Sequence, residues 1–378
     1  PRINTLNKDA RLYIKHSSEK YDVVILNLPE PTTAHLNRFY THEFFSEVKQ
    51  RINTGGIISL SLLSSVNYLH EEAGTTISVI YKTLEKAFNN VLIIPGNKNF
   101  ILASDDTLDI NVTQKIFNKK INTVYVNKYY IDDTMVKQRS QYLVKMLDGE
   151  ASINRDFKPI AYYNHLKYWI NQFQFNIWAI ALILLAATVF FIFRLKLLGL
   201  GLFSGGFAAS GIEMVILIAF QTIYGYVYMA TGIIITLFMG GMAFGALYMH
   251  KIFKVTKMNY IRILLGIGLY TILMPVLLWW LKSWEANPDL VKILIYLLTF
   301  DISILFGMLF SFAAKLRKGN YSKTASELYS ADLYGGAIGA VLVSIFLIPL
   351  TGLFFTAIIA GSFNLLIGGI SFFRQKAI

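Results

Sequence analysis

Tyr21-Asp22-Val23-Val24-Ile25-Leu26-Asn27-Leu28-Pro29-Glu30-Pro31, followed by Phe39-Tyr40-Thr41-His42-Glu43-Phe44-Phe45, decides how the first half of this chain is read. The apolar run from Val23 to Leu26 breaks at a Pro-rich loop, the pattern of a parallel strand whose carboxyl end opens onto a ligand crevice. Asn27 stands at that end, an amide where chemistry would use an acid.

Working outward, residues 2–6 predict a short strand and residues 9–16 a short helix or turn. A helix over 41–52 precedes Asn53-Thr54-Gly55-Gly56, a glycine stop. Strands over 57–63, 91–95 and 99–103 and a helix over 75–88 complete the pattern. Alternating β and α elements predict a mostly parallel sheet covered by helices. The glycine-rich loop that places backbone amides around a cofactor is not found before Asn53.

Composition divides the chain. It has 378 residues, 54% of them hydrophobic, and no cysteine; its mean hydropathy is +0.48. That is too apolar for a soluble core alone, so a membrane portion is expected. Residues 1–150 read as an α/β domain, 151–174 as a juxtamembrane linker and 175–378 as a helical membrane domain. Of the net charge of +12, fourteen Lys and Arg residues against six Asp and Glu residues after Gln174 contribute +8, leaving +4 before it. The cations of the second half gather in loops, as membrane topology and anionic headgroups require, and they form no basic stripe with interleaved aromatics for nucleic acid. Without cysteine, disulfides, thiolate metal sites and Cys nucleophiles are excluded. His16, His35, His42, His70, His165 and His250 lack metal-ligand spacing, so no metal is expected.

Pro1-Arg2-Ile3, Asp9-Ala10-Arg11, Tyr21-Asp22-Val23-Val24, the loop ending Glu30-Pro31, Phe39 to Phe45 and Gly55-Gly56-Ile57 resemble, in order and spacing, the polyamine aminopropyltransferase (spermidine synthase) family. With Ile153-Asn154-Arg155-Asp156-Phe157-Lys158-Pro159, the chain resembles the membrane-fused, spermidine synthase-like proteins of bacteria. The resemblance implies a fold like that of S-adenosylmethionine-dependent methyltransferases, a Rossmann-like sheet here incomplete. An upstream segment or a separate polypeptide is expected to supply its first strands. It implies that Asp9 and Ala10 face the adenine of an S-adenosylmethionine-like nucleoside, although Asp9 also reads as a helix N-cap. Asn27 and Glu30 take the places of the family acids, and Glu30 and Tyr40 those of substrate-binding residues. An amide is no general base, and such a base contributes about 10² to 10⁴-fold. No catalytic residue is therefore assigned, and Asn27 with the missing glycine-rich loop favours a degenerate domain, or pseudoenzyme.

In the second half, apolar blocks at 175–195, 200–223, 227–249, 261–281, 290–314, 329–350 and 353–373 each approach the roughly 20 residues that span a bilayer, so about seven helices are expected. Tyr224-Gly225-Tyr226 and Pro349-Leu350-Thr351-Gly352 read as tight turns. The cations Arg194, Lys196, Lys251, Lys254, Lys257, Arg262, Lys315, Arg317, Lys318, Lys323, Arg374 and Lys376 lie in or beside the other loops. Positive loops place the carboxyl terminus in the cytoplasm of a bacterium, across its inner membrane. Counting back through seven spans puts the α/β domain outside. Glu213, Gln221, Asp301 and Asp332 are polar positions within or beside apolar spans, and they read either as a cation path or as interhelical hydrogen bonding. Three functions follow from these readings: a scaffold or ligand-binding subunit of a membrane assembly, an active membrane-bound aminopropyltransferase, or a polyamine or cation transporter.

Overall fold

The computed structural model describes residues 3–63, 71–172, 177–225, 228–284, 287–317 and 321–374. Pro1, Arg2, His70, Gln174, Phe175, Tyr226, Val227, Lys318 and Lys376 lie outside them. The chain divides into two compact units, Pro1–Phe175 and Asn176–Ile378.

The first unit carries α1 (Ala10–His16), β1 (Tyr21–Leu26), α2 (Ala34–Asn37), α3 (His42–Lys49), β2 (Ile52–Leu63), α4 (Glu71–Ala87), β3 (Asn90–Ile94), β4 (Lys98–Ser104), α5 (Val112–Asn118), α6 (Asp133–Met146) and α7 (Ile160–Gln172). Its four strands lie in the order β1-β2-β4-β3. β1 is parallel to β2, with Val23 opposite Ile57 and Leu26 opposite Leu60. β4 is antiparallel to both β2 and β3. The expected mostly parallel sheet is therefore mixed. Only Pro95-Gly96-Asn97 separate β3 from β4, enough for a hairpin but not for the dozen or more residues of a parallel crossover.

Two further expectations change. Residues 3–6 form no strand. Asn53-Thr54-Gly55-Gly56 does not end a helix but lies inside β2, where the register with β1 shifts between Tyr21 and Val23. Gly55 sits there at φ +78°, which an L side chain rarely adopts.

One face of the sheet is packed. Leu26, Ile58, Leu60, Leu62, Ile101 and Ala103 meet Phe44, Phe45 and Val48 of α3 and Val79, Ile80 and Leu84 of α4 in one core. Among the described residues the other face is open: Val23, Ile25, Leu63 and Phe100 are exposed, Ile25 to 71%. In the stretch expected as a linker, 151–174, Asn154 and Asp156 are buried within the first unit. The Asn154 amide donates to Asn37 Oδ1 and Tyr40 O, and its own oxygen accepts from Ala161 N.

The second unit contains α8 (Ile177–Arg194), α9 (Leu197–Tyr224), α10 (Tyr228–Phe244), a π-helical turn at Gly245–Met249, α11 (His250–Ile252), α12 (Lys257–Lys282), α13 (Pro288–Leu316), α14 (Tyr321–Leu342), a second π-helical turn at Val343–Leu347 and α15 (Ile348–Phe373). Among the described residues five helices are long and apolar enough to cross a membrane, where about seven spans are expected. Leu182–Arg194 is a shorter apolar segment, and the sixth and seventh expected spans form one piece, Ala325–Phe373, of 49 residues. At about 1.5 Å per residue that piece is more than twice the roughly 30 Å of a bilayer core. Gly352, at φ 83°, breaks it.

Contacts along the helices fix their directions. A side chain at Gly335 would meet the backbone of Phe203, and one at Gly339 that of Phe207, so α14 runs parallel to α9. The Ser204 hydroxyl donates to Asn364 Oδ1 at 2.8 Å while Gly211 faces Ala360, so α15 runs antiparallel to α9. Ala325–Phe373 thus turns back on itself at Gly352. Gly201 faces Tyr260 and Leu264, which makes α12 parallel to α9. Gly205 faces Leu309 and the Tyr224 hydroxyl reaches Pro288 O, which makes α13 antiparallel to it. Gly241 meets Ser303 and Gly307 meets Ala246, which sets α10 parallel to α13. Among the described residues these six helical segments alternate in direction. Arg194, Lys196, Lys251, Lys254, Lys257, Lys315, Arg317 and Arg374 all fall at one end of the bundle, where α9, α12 and α14 begin.

Candidate functional site

The carboxyl end of β1 leads into the loop Leu28-Pro29-Glu30-Pro31, which is anchored from α3's approach. Tyr40 is fully buried, and its hydroxyl donates to Pro29 O at 2.8 Å and Leu28 O at 3.3 Å. Burial, then the Glu30 charge, pushes the Tyr40 hydroxyl pKa upward, so it remains a donor. Two carbonyls of the loop are thereby held, and Pro29 stiffens the link between them. Tyr40→Phe is expected to cost the first unit about 1 kcal/mol, read as a lower urea midpoint.

Glu30 reaches out of this loop to β2 and α7. Its Oε1 accepts from Leu63 N at 2.7 Å at the end of β2, and its Oε2 lies 4.0 Å from His165 Nδ1 on α7. Glu30, Thr32, Ser61, Lys98 and His165 are among the lining of a cleft of about 280 Å³. Asn27 is exposed and is not among the residues lining it. The cleft therefore holds one carboxylate, one imidazole and one ammonium group, and the Asn27 amide stands apart.

Asp9 and Ala10 open α1. Asp9 Oδ1 accepts from Leu12 N at 2.9 Å as the N-cap, and Oδ2 pairs with Arg38 Nη1 at 2.6 Å. Ala10 is exposed. Beneath them Arg11 makes five hydrogen bonds. Nε and Nη2 reach Glu47, Nη1 and Nη2 reach Asp156, each at 2.8 Å, and Nη1 also reaches Arg38 O. All five N–H donors of the guanidinium are used. Burial alone would lower the Arg11 pKa, yet the Asp156 and Glu47 carboxylates raise it. The Thr41 hydroxyl, which caps α3 through Phe44 N, donates to Asp156 Oδ1 at 2.7 Å.

In the second unit, Glu213 and Asp332 line the same cleft. Gln221 and Asp301 do not; Gln221 O accepts from Gly225 N at the end of α9, and Asp301 is exposed. Among the described residues no group of three or more His, Asp or Glu side chains could hold a metal ion.

The comparisons with known proteins bear on the first unit. Residues 1–99 match the spermine/spermidine synthase domain. The chain is 30% identical over 115 residues to a polyamine aminopropyltransferase of Oceanobacillus iheyensis, covering 30% of this chain and 22% of that protein. It is 26% identical over 173 residues to one of Sulfolobus acidocaldarius, covering 42% and 55% respectively. A Korarchaeum cryptofilum polyamine aminopropyltransferase matches at 26% over 176 residues, 43% of this chain and 52% of that one. The chain thus spans between about a fifth and just over half of these relatives.

His165 and the Arg11–Asp156 pairing were not read from the sequence as parts of the site. Both join residues more than a hundred positions apart, and only the motif around Asn154 and Asp156 offered a signal.

Proposed function

We propose that the first unit is a spermidine synthase-like domain that binds an amine ligand without transferring an aminopropyl group, carried on a helical bundle in the inner membrane of a bacterium. One observation carries the reading. Asn27 cannot take a proton, and the nearby carboxylate, Glu30, is held by Leu63 N and faces His165. A carboxylate so placed suits recognition of an ammonium group. β1 is an outer strand of the sheet and its Val23 and Ile25 are exposed on the open face, which supports a further segment, upstream or from another polypeptide, that pairs with this edge, covers that face and completes a site for an S-adenosylmethionine-like nucleoside. The basic end of the bundle supports an orientation with that end in the cytoplasm. With α8 as a further pass, the first unit then lies outside, where the enzymatic cofactor is scarce.

The test is aminopropyl transfer by the purified full chain, with decarboxylated S-adenosylmethionine and a diamine as substrates. No product above the uncatalysed rate is expected, together with diamine binding that Glu30→Gln weakens. Product formation overturns the reading. The second reading, an active membrane-bound aminopropyltransferase, is favoured by the Glu30 and His165 pair alone, and it predicts product that disappears in Glu30→Gln.

A further inference from the structure

The bundle contains a cleft of about 630 Å³ at the level of Glu213 and Asp332. Its walls are α10 and α14, whose Ala243, Tyr329, Leu333 and Ala337 are exposed; its floor is α9 and α13, whose Gly206, Phe306 and Gly307 are buried. That volume suits a small organic ligand. Nothing cationic is among its lining, and neither Glu213 nor Asp332 makes a side-chain hydrogen bond or ion pair among the described residues. Two unpartnered carboxylates in an otherwise apolar cleft of an apolar bundle are costly unless a cation joins them.

Their placement constrains the cation. The Asp332 carbonyl lies level with Gly206, because a side chain at Gly206 would meet it, and α9 and α14 run parallel. Glu213 is seven residues beyond Gly206 along α9, and the contact of Gly335 with Phe203 places Asp332 further back still, so the two acids are separated by at least about 10 Å along the helix axes. A single metal ion or proton cannot bridge that distance. Phe238, Phe306, Phe310 and Tyr329 supply aromatic surface in the same cleft, suited to methylene groups and to ammonium over a ring. Ala246, also in the lining, belongs to the π-helical turn Gly245–Met249, a local widening of the helix that recurs at ligand sites.

We propose that this cleft binds a linear aliphatic di- or polyammonium ion, one terminal charge at Glu213 and another at Asp332. The site is distinct from the Glu30 cleft, and the proposal does not rest on the reading of the first unit. The chain has no cysteine, so Ala337→Cys introduces a single thiol on the exposed wall of the cleft. In the full chain in nanodiscs, spermidine is expected to slow modification of this thiol by a small methanethiosulfonate reagent. In the same background, Glu213→Gln and Asp332→Asn are each expected to raise the spermidine concentration needed by about tenfold or more, while Glu213→Asp retains most of the protection. An unchanged labelling rate without ligand shows that the cleft is intact in each variant. Should a variant fail to fold, the parent thiol still decides: spermidine must protect at concentrations where n-butylamine and sodium do not. Equal protection by n-butylamine, protection by sodium, or undiminished protection in both charge-removing variants overturns the proposal.

Discussion

Asp156→Ala is expected to destabilise the first unit by about 3–5 kcal/mol, the cost of removing one partner from a buried ionic network. The two side chains at the centre are almost entirely hidden, Arg11 to 4% and Asp156 to 2% exposure. Losing the carboxylate strips two hydrogen bonds from the Arg11 guanidinium and one from the Thr41 hydroxyl, and leaves a buried cation with Glu47 as its remaining carboxylate. It also releases the segment that carries Asn154, which ties α2 and the end of Tyr40 to α7. Pulse proteolysis of the full chain in urea reads the effect as a lower midpoint. Asp105→Ala is the control, because its pair with Lys49 is about 40% exposed and such pairs contribute about 0–1 kcal/mol. Equal midpoints for the two variants would show that the network contributes nothing beyond a surface pair.

The same network marks where the sequence stops being legible. Strands 57–63, 91–95 and 99–103 and the helices after Asp9, Thr41 and Thr75 are local patterns, and the structure has them, with β2 starting five residues earlier at Ile52 and α4 four earlier at Glu71. The mixed sheet order was legible in part: three residues between β3 and β4 already forbid a parallel crossover, whereas the insertion of β4 between β2 and β3 is a long-range choice with no local signal. Asp9 shows the limit at the candidate site. Its capping role follows from the Leu12 amide three residues on, while its bond to Arg38 depends on how α1 docks. His165 and Glu30 meet only because α7 returns to the strand ends, so no spacing rule finds them.

In the second unit the apolar blocks and the turns at Gly225 and Gly352 were readable from composition and glycine alone. The pairing of Glu213 with Asp332 in one cleft was not. They lie on separate helices, and their encounter follows from the close parallel approach of α9 and α14, which small residues permit.

That approach yields the second large effect. Gly335→Leu is expected to disrupt the bundle, whereas Gly266→Leu on α12 is expected to be nearly neutral. The first Cβ atom placed at Gly335 already collides with the carbonyl, carbon and Cα of Phe203, so the obstacle is backbone and cannot rotate away. Overpacking against movable side chains costs about 1–3 kcal/mol, and a backbone obstacle moves the whole helix, so the cost is at or above that range. Nothing lies within 4 Å of the corresponding atom at Gly266. At an interior position, removing that glycine also regains about 0.5–1 kcal/mol of helix propensity. The comparison separates helix contact from hydrophobicity, since both variants add the same side chain to an apolar helix. Thermal aggregation of the detergent-solubilised full chain gives the readout, with a midpoint lowered by several degrees for Gly335→Leu and little changed for Gly266→Leu. Matching midpoints would mean that α9 and α14 do not pack with Gly335 against Phe203, and the shared cleft between Glu213 and Asp332 would lose its geometric basis.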